Sequence, residues 1–131
     1  MTPFRTMTLP SGPDCVAPDG FEVRLLSELQ GGGMAQFCLP AGQVSKAVTH
    51  RTVEEIWFFV SGRGEAWRKQ EGREEVTPVR PGVSVTIPLG THFQFRALGE
   101  EPLTAIAVTM PPWPGEVEAI LVRGRWKSTM P

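Results

Sequence analysis

The sequence predicts an all-β domain, built as a sandwich or a closed barrel. Three observations carry that prediction. Short alternating or apolar runs, many with β-branched residues, recur along the chain. Fourteen glycines and thirteen prolines punctuate them. No segment keeps a helical apolar period over three turns.

At 131 residues the chain is long enough for one domain with a real core. Residues 1–20, with proline at 3, 10, 13 and 18, read as an extended arm. A barrel is expected over 21–123, followed by a tail over 124–131. Its strands are expected at Phe21–Leu29, Gly33–Pro40, Val44–His50, Glu55–Ser61, Gly64–Gln70, Glu74–Arg80, Val83–Pro88, Phe93–Leu98 and Leu103–Met110. Breakers such as Gly31-Gly32-Gly33, Ser61-Gly62 and Arg80-Pro81-Gly82 separate them. Val117–Arg123 reads as an edge strand beyond the Pro111-Pro112-Trp113-Pro114 break.

Strand parity sorts side chains by face. Gln36 and Cys38 share one face, with Gln36 expected to point inward. Lys46, Val48 and His50 share another, as do Glu55, Trp57 and Phe59. Phe93 and Phe95 face together, with His92 and Gln94 opposite unless a bulge at the Gly90 corner shifts the register.

Composition removes several classes of function. Thirteen basic and fourteen acidic residues leave a net charge of −1, with no basic stripe for nucleic acid or an anionic membrane. The longest apolar runs, Ile56–Val60 and Ala105–Val108, are too short to cross a bilayer. The first five residues hold no hydrophobic signal core, so a cytoplasmic location is expected. Cys15 and Cys38 do not form a disulfide framework, and neither has a histidine beside it in sequence. Cys38 reads as a buried, inert thiol.

The chemistry concentrates in two segments. His50 and Glu55 precede a very apolar strand that ends at Gly62, and Pro88-Leu89-Gly90-Thr91-His92-Phe93 forms a later corner. On these residues the chain resembles the cupin superfamily, over about a third of its length. Gly42, His50, Glu55 and Gly62 match the first motif, with Val48 at the position of its first histidine. Gly82, Pro88 and Gly90 match the second motif, whose histidine position holds Phe93, with His92 one residue early. The resemblance implies a small jelly-roll barrel (a double-stranded β-helix), often dimeric, with its site in the barrel mouth. It also implies a ligand set of three imidazoles and one carboxylate for iron, manganese, nickel or zinc.

Two histidines in the whole chain cannot complete that set. A reduced site of His50, Glu55 and His92 could hold a divalent ion if a bulge turned His92 inward, but parity turns it away. The ion is therefore expected to be absent or weakly held. Without metal, Glu55 beside Trp57 and Phe59 should have a raised pKa from desolvation. A His50–Glu55 pair would then suit proton abstraction, isomerisation or elimination on a small polar molecule; the plain alternative is a polar pair that hydrogen-bonds internally. Gln36, Lys46, Val48, Trp57, Phe59, Phe93 and Phe95 are the expected ligand-contacting residues. Lys46 either neutralises an anionic substrate or reaches solvent. An isomerase or lyase, a metal-dependent oxygenase and a non-catalytic binding or sensor barrel all stay open, and a homodimer is expected from the open sheet edges and the arm.

Overall fold

The computed structural model describes residues 1–131, the side chain of Glu116 excepted. Its strands are β1 (Cys15–Val16), β2 (Glu22–Leu29), β3 (Gly32–Leu39), β4 (Val48–His50), β5 (Glu54–Ser61), β6 (Arg63–Gln70), β7 (Arg73–Val79), β8 (Ser84–Ile87), β9 (His92–Leu98), β10 (Leu103–Met110) and β11 (Ala119–Leu121). One 3₁₀ turn, Glu116–Glu118, precedes β11. Two antiparallel sheets face each other, in the orders β1-β2-β3-β10-β5-β8 and β11-β4-β9-β6-β7. This is the jelly-roll barrel, and the expected strands fall within a few residues of the observed ones. Among the described residues no helix is long and apolar enough to cross a membrane.

Alternation along β5 and β10 builds the inner wall. Glu55, Trp57 and Phe59 are buried while Ile56, Phe58 and Val60 are exposed. Across the β5–β10 ladder they meet small partners: Thr109 opposite Glu55, Ala107 opposite Trp57 and Ala105 opposite Phe59. Large side chains on one strand thus use the space left by small ones on the next. Ile106 and Val108, the bulkier residues of β10, lie on the other face.

The core is an aromatic cluster. Trp57 stacks on Phe95 at 4.5 Å between centroids and on Phe37 at 4.7 Å, and Phe21 meets its edge at 5.2 Å. Phe59 closes the group against Trp57 and Phe95. Burial on this scale dominates the stability of a domain of this size. At the turn from β5 to β6, Gly62 has φ +77° and a Cβ there would lie 2.1 Å from the Pro102 carbonyl oxygen. Only glycine meets both demands, which explains the closing glycine of the first motif.

One strand departs from expectation, and the arm and the tail both join the barrel. The segment Val44–His50 is a strand only from Val48; Val44 makes one bridge to Arg96. Between them Ser45 bonds to Phe95 while the Lys46 amide donates to the Asp19 carbonyl, so the chain crosses from one sheet toward the other wall. The extended arm is held by the Arg24 guanidinium, which donates to the Pro10 and Ser11 carbonyls, and its end joins the sheet where β1 pairs with β2. The tail is packed: Gln94 donates to the Ser45 and Trp126 carbonyls, its own carbonyl accepts from the Trp126 amide, and Arg96 stands 4.4 Å over the Trp126 ring. Residues 124–131 therefore cover the outer face of β9, which explains why Gln94, opposite the cavity by parity, is buried.

Candidate functional site

Between the sheets, at the end of the barrel where β5 begins, a cavity of about 290 Å³ opens. Asp19, His50, Glu55 and Thr109 bring polar atoms to it, and Phe37, Val48, Trp57, Phe93 and Trp113 supply most of the apolar wall. Each polar group is placed by its element. Glu55 is the second residue of β5 on the inward parity. His50 ends β4 and faces it across the Arg51–Val53 turn. That turn is held by the Glu118 carboxylate, which accepts from the Thr52 amide and hydroxyl and the Val53 amide. Burial pushes the Glu118 carboxyl up, but these bonds outweigh it and keep its pKa below the usual value. Asp19 sits in the Pro18-Asp19-Gly20 turn, where its Oδ1 accepts from the Phe21 amide at 3.3 Å.

Glu55 is 3% exposed. Its Oε1 accepts from the Trp57 indole Nε1 at 3.1 Å and its Oε2 from the Thr109 hydroxyl at 3.2 Å. Burial pushes its pKa up to about 7; the two hydrogen bonds oppose this, and the charges of Asp19 and Glu118 add to it. Burial likewise pulls the His50 imidazole down to about 4, against the pull of Glu118, and pushes the Asp19 carboxyl up to about 6. At neutral pH the imidazole is uncharged while Glu55 is near the midpoint of its titration.

The two groups are neighbours without being bonded. His50 Nδ1 lies 3.9 Å from Glu55 Oε1, beyond hydrogen-bond reach, and among the described residues this buried nitrogen has no hydrogen-bond partner. The internally satisfied pair is therefore not what the barrel holds. Phe93 and Trp113 each meet the imidazole edge-on at 5.1 Å.

Of the residues expected at the site, His50, Glu55, Val48, Trp57 and Phe93 come together, and five do not line the cavity. Gln36 points away because Ala35 and Leu39 hold the buried face of β3, with Phe37 beside them on the same parity. Cys38 shares the Gln36 face and is only half-buried, within 3.7 Å of the Thr104 hydroxyl. Lys46 loses its parity with His50 where Ala47 and Val48 are both buried in succession. Phe59 and Phe95 are fully buried two residues deeper than Trp57 and Phe93, and they support the cavity floor from below. His92 stays outside: β9 pairs with β6 without a bulge, placing His92 opposite Lys69 and leaving Phe93 to face the cavity. Asp19, Phe37 and Thr109 were not expected. Thr109 shares the buried parity of β10 with Leu103, Ala105 and Ala107, a signal the sequence carries, whereas Asp19 lies in a turn, where parity says nothing.

A family model described as a cupin domain matches residues 35–109, and the chain belongs to the cupin family. An uncharacterized protein of Methanocaldococcus jannaschii is 30% identical over 88 residues, which is 67% of each chain. A conserved Klebsiella pneumoniae protein with a double-stranded β-helix domain superposes with a TM-score of 0.69 at 17% identity, over 93% of this chain and 100% of that one. Oxalate decarboxylase of Bacillus subtilis, a protein with Mn(II) centres, gives 0.74 at 16% identity, over 93% of this chain and 33% of that one. These structural likenesses establish the fold alone.

The metal set of the family does not fit this chain. Val48 and Phe93 fill two of its imidazole positions, and His92 lies outside the barrel. Among the described residues no group of three His, Cys, Asp or Glu side chains could hold an ion. What the cavity does hold is one neutral imidazole facing the Glu55 carboxyl, with Asp19 in the same wall.

Linkage makes the state of Glu55 measurable. Its folded pKa is raised, so its contribution to stability is complete below the ordinary carboxyl value of 4.5 and is lost as pH rises through about 7. His50 acts in the opposite sense: its contribution is complete above 6.5 and is lost as pH falls through about 4. The variant Glu55→Gln keeps an acceptor for Trp57 and cannot ionise. Its stability relative to wild type should rise by about 2–3 kcal/mol between about pH 5 and pH 8, an order-of-magnitude figure read from urea midpoints. A pH-independent difference would place Glu55 at an ordinary pKa.

Proposed function

We propose that this cupin binds a small polar molecule in the barrel mouth and acts on it as an isomerase or lyase, with Glu55 moving the proton. One observation carries the reading. Glu55 is a buried carboxyl with a pKa near 7, held by two hydrogen bonds and facing the unpartnered Nδ1 of a neutral histidine. A general base works best when its pKa lies near the working pH, and burial raises its basicity without removing it from reach. Ionised Glu55 takes a proton from the carbon beside a substrate carbonyl. The electron pair forms the enolate. In isomerisation the protonated carboxyl returns the proton to the far carbon of a conjugated enolate as the carbonyl re-forms. In elimination the carbonyl re-forms as the bond from the β-carbon to the leaving group breaks, and the leaving group takes the proton. His50 holds a substrate N–H or O–H, and Trp57 and Thr109 keep the carboxylate oriented.

One feature favours binding without chemistry as the second reading. Among the described lining residues there is no lysine or arginine to stabilise a developing oxyanion. Deuterium exchange decides between the two. In D₂O, wild-type protein should exchange the α-protons of at least one member of a panel of small aldehydes and ketones, followed by proton NMR. Glu55→Gln should lower that rate about 10²-fold or more. Equal rates in both proteins would reject Glu55 as the base.

The proposal includes a homodimer. Exposed Ile56, Phe58 and Val60 form an apolar row on the outer face of the six-stranded sheet, and Met34 adds to it across β10. Such a patch on a small domain is the usual mark of an interface. Sedimentation velocity at micromolar concentration should give a dimer that Phe58→Glu converts to monomer. A wild-type monomer would remove this part of the reading.

A further inference from the structure

We infer that the molecule taken by this cavity is a small organic cation, an ammonium or amidinium group carried on an apolar body. The inference rests on the reading that the cavity binds a small molecule, and it names the class. Every side chain in the wall whose ordinary charge is full at neutral pH is acidic: Asp19 and Glu55 inside and Glu28 at the exposed rim. Lys46, the cation expected there from sequence, does not line the cavity.

The arrangement of acceptors points the same way, independently of charge. The His50 side chain is 5% exposed and its Nδ1 has no partner, while Glu55 Oε1 stands 3.9 Å from it. With the imidazole proton on Nε2, two acceptors face one gap with no hydrogen between them. A ligand nitrogen about 2.9 Å from each would bridge them. An ammonium group offers three donors and no acceptor, which suits Nδ1 and Oε1, and the Asp19 carboxyl lines the same cavity. A carboxylate ligand would add a third acid to the same enclosed space and leave Nδ1 unpartnered. Phe37, Phe93 and Trp113, with the edge of Trp57, line the space for the apolar body of such a ligand. In the proposed reaction Oε1 of Glu55 and Nδ1 of His50 would hold the cation while Oε2 of Glu55 works on the carbon beside it.

The test uses three probes that share one ring and differ in charge: benzylammonium, benzyl alcohol and benzoate. Calorimetric titration of the full chain, slightly above neutral pH, should show benzylammonium binding at least about tenfold tighter than benzyl alcohol, with benzoate weakest. Asp19→Asn, whose amide oxygen can still accept from the Phe21 amide, should weaken benzylammonium about tenfold and narrow its lead over the alcohol. Glu55→Gln should do the same, and it carries the comparison if the Asp19 variant does not fold. Benzyl alcohol or benzoate binding as tightly as the ammonium would overturn the cationic class and leave the binding reading intact. So would an undiminished ammonium preference in Glu55→Gln. No binding by any of the three would overturn both.

Discussion

A tryptophan at the centre of a small barrel has to find a partner for its indole N–H. Trp57 is 1% exposed and stacked between Phe95 and Phe37, which leaves its indole N–H among mostly apolar neighbours. The acceptor two residues away on the same face is Glu55. That one bond ties the aromatic core to the only ionisable group of β5 that faces inward. An amide or a hydroxyl could have met the same need without charge, whereas a carboxyl in this position must either stay protonated or bear the cost of an ion in an apolar surround. Packing therefore accounts for an acceptor beside Trp57, but it does not account for an acid there.

The replacement of family ligands by Val48 and Phe93 has consequences beyond losing donors. The two residues are paired across β4 and β9 and both are buried at 1% exposure. They make the wall drier, which strengthens the desolvation that separates the two pKa values. His50 is left with Phe93 and Trp113 as aromatic neighbours and, among the described residues, no hydrogen bond at Nδ1. A neutral imidazole and a carboxyl near its midpoint are the chemical outcome. A metal centre at the same place would instead require a deprotonated carboxylate and further nitrogen donors.

Much of this was legible in the sequence, for identifiable reasons. Strand β5 is an almost unbroken apolar run, but the parity counted from the motif glutamate puts Glu55 and Trp57 on one face, and that face is the inner one. The motif glycines mark turns that the structure also requires, Gly62 most clearly. Legibility failed where alternation broke or where face could not be told from composition. Both parities of β3 carry plausible inward residues, so Gln36 was exchanged for Phe37. Between Val44 and Val48 the chain leaves the ladder, and Lys46 lost the face assigned to it. Asp19 comes into the wall through a turn, held by a backbone bond to Lys46 that no local pattern could announce. Glu118, which fixes the turn between His50 and β5, reaches it across 66 residues of chain.

The account stands on the protonation of two neighbouring groups, and heteronuclear NMR of protein labelled at the glutamate carboxyl and histidine ring carbons reads both directly. The Glu55 carboxyl should titrate with a midpoint near 7 and the His50 ring near 4. A Glu55 midpoint at the ordinary carboxyl value, with a His50 ring still protonated at neutral pH, would mean a simple ion pair and would contradict the account.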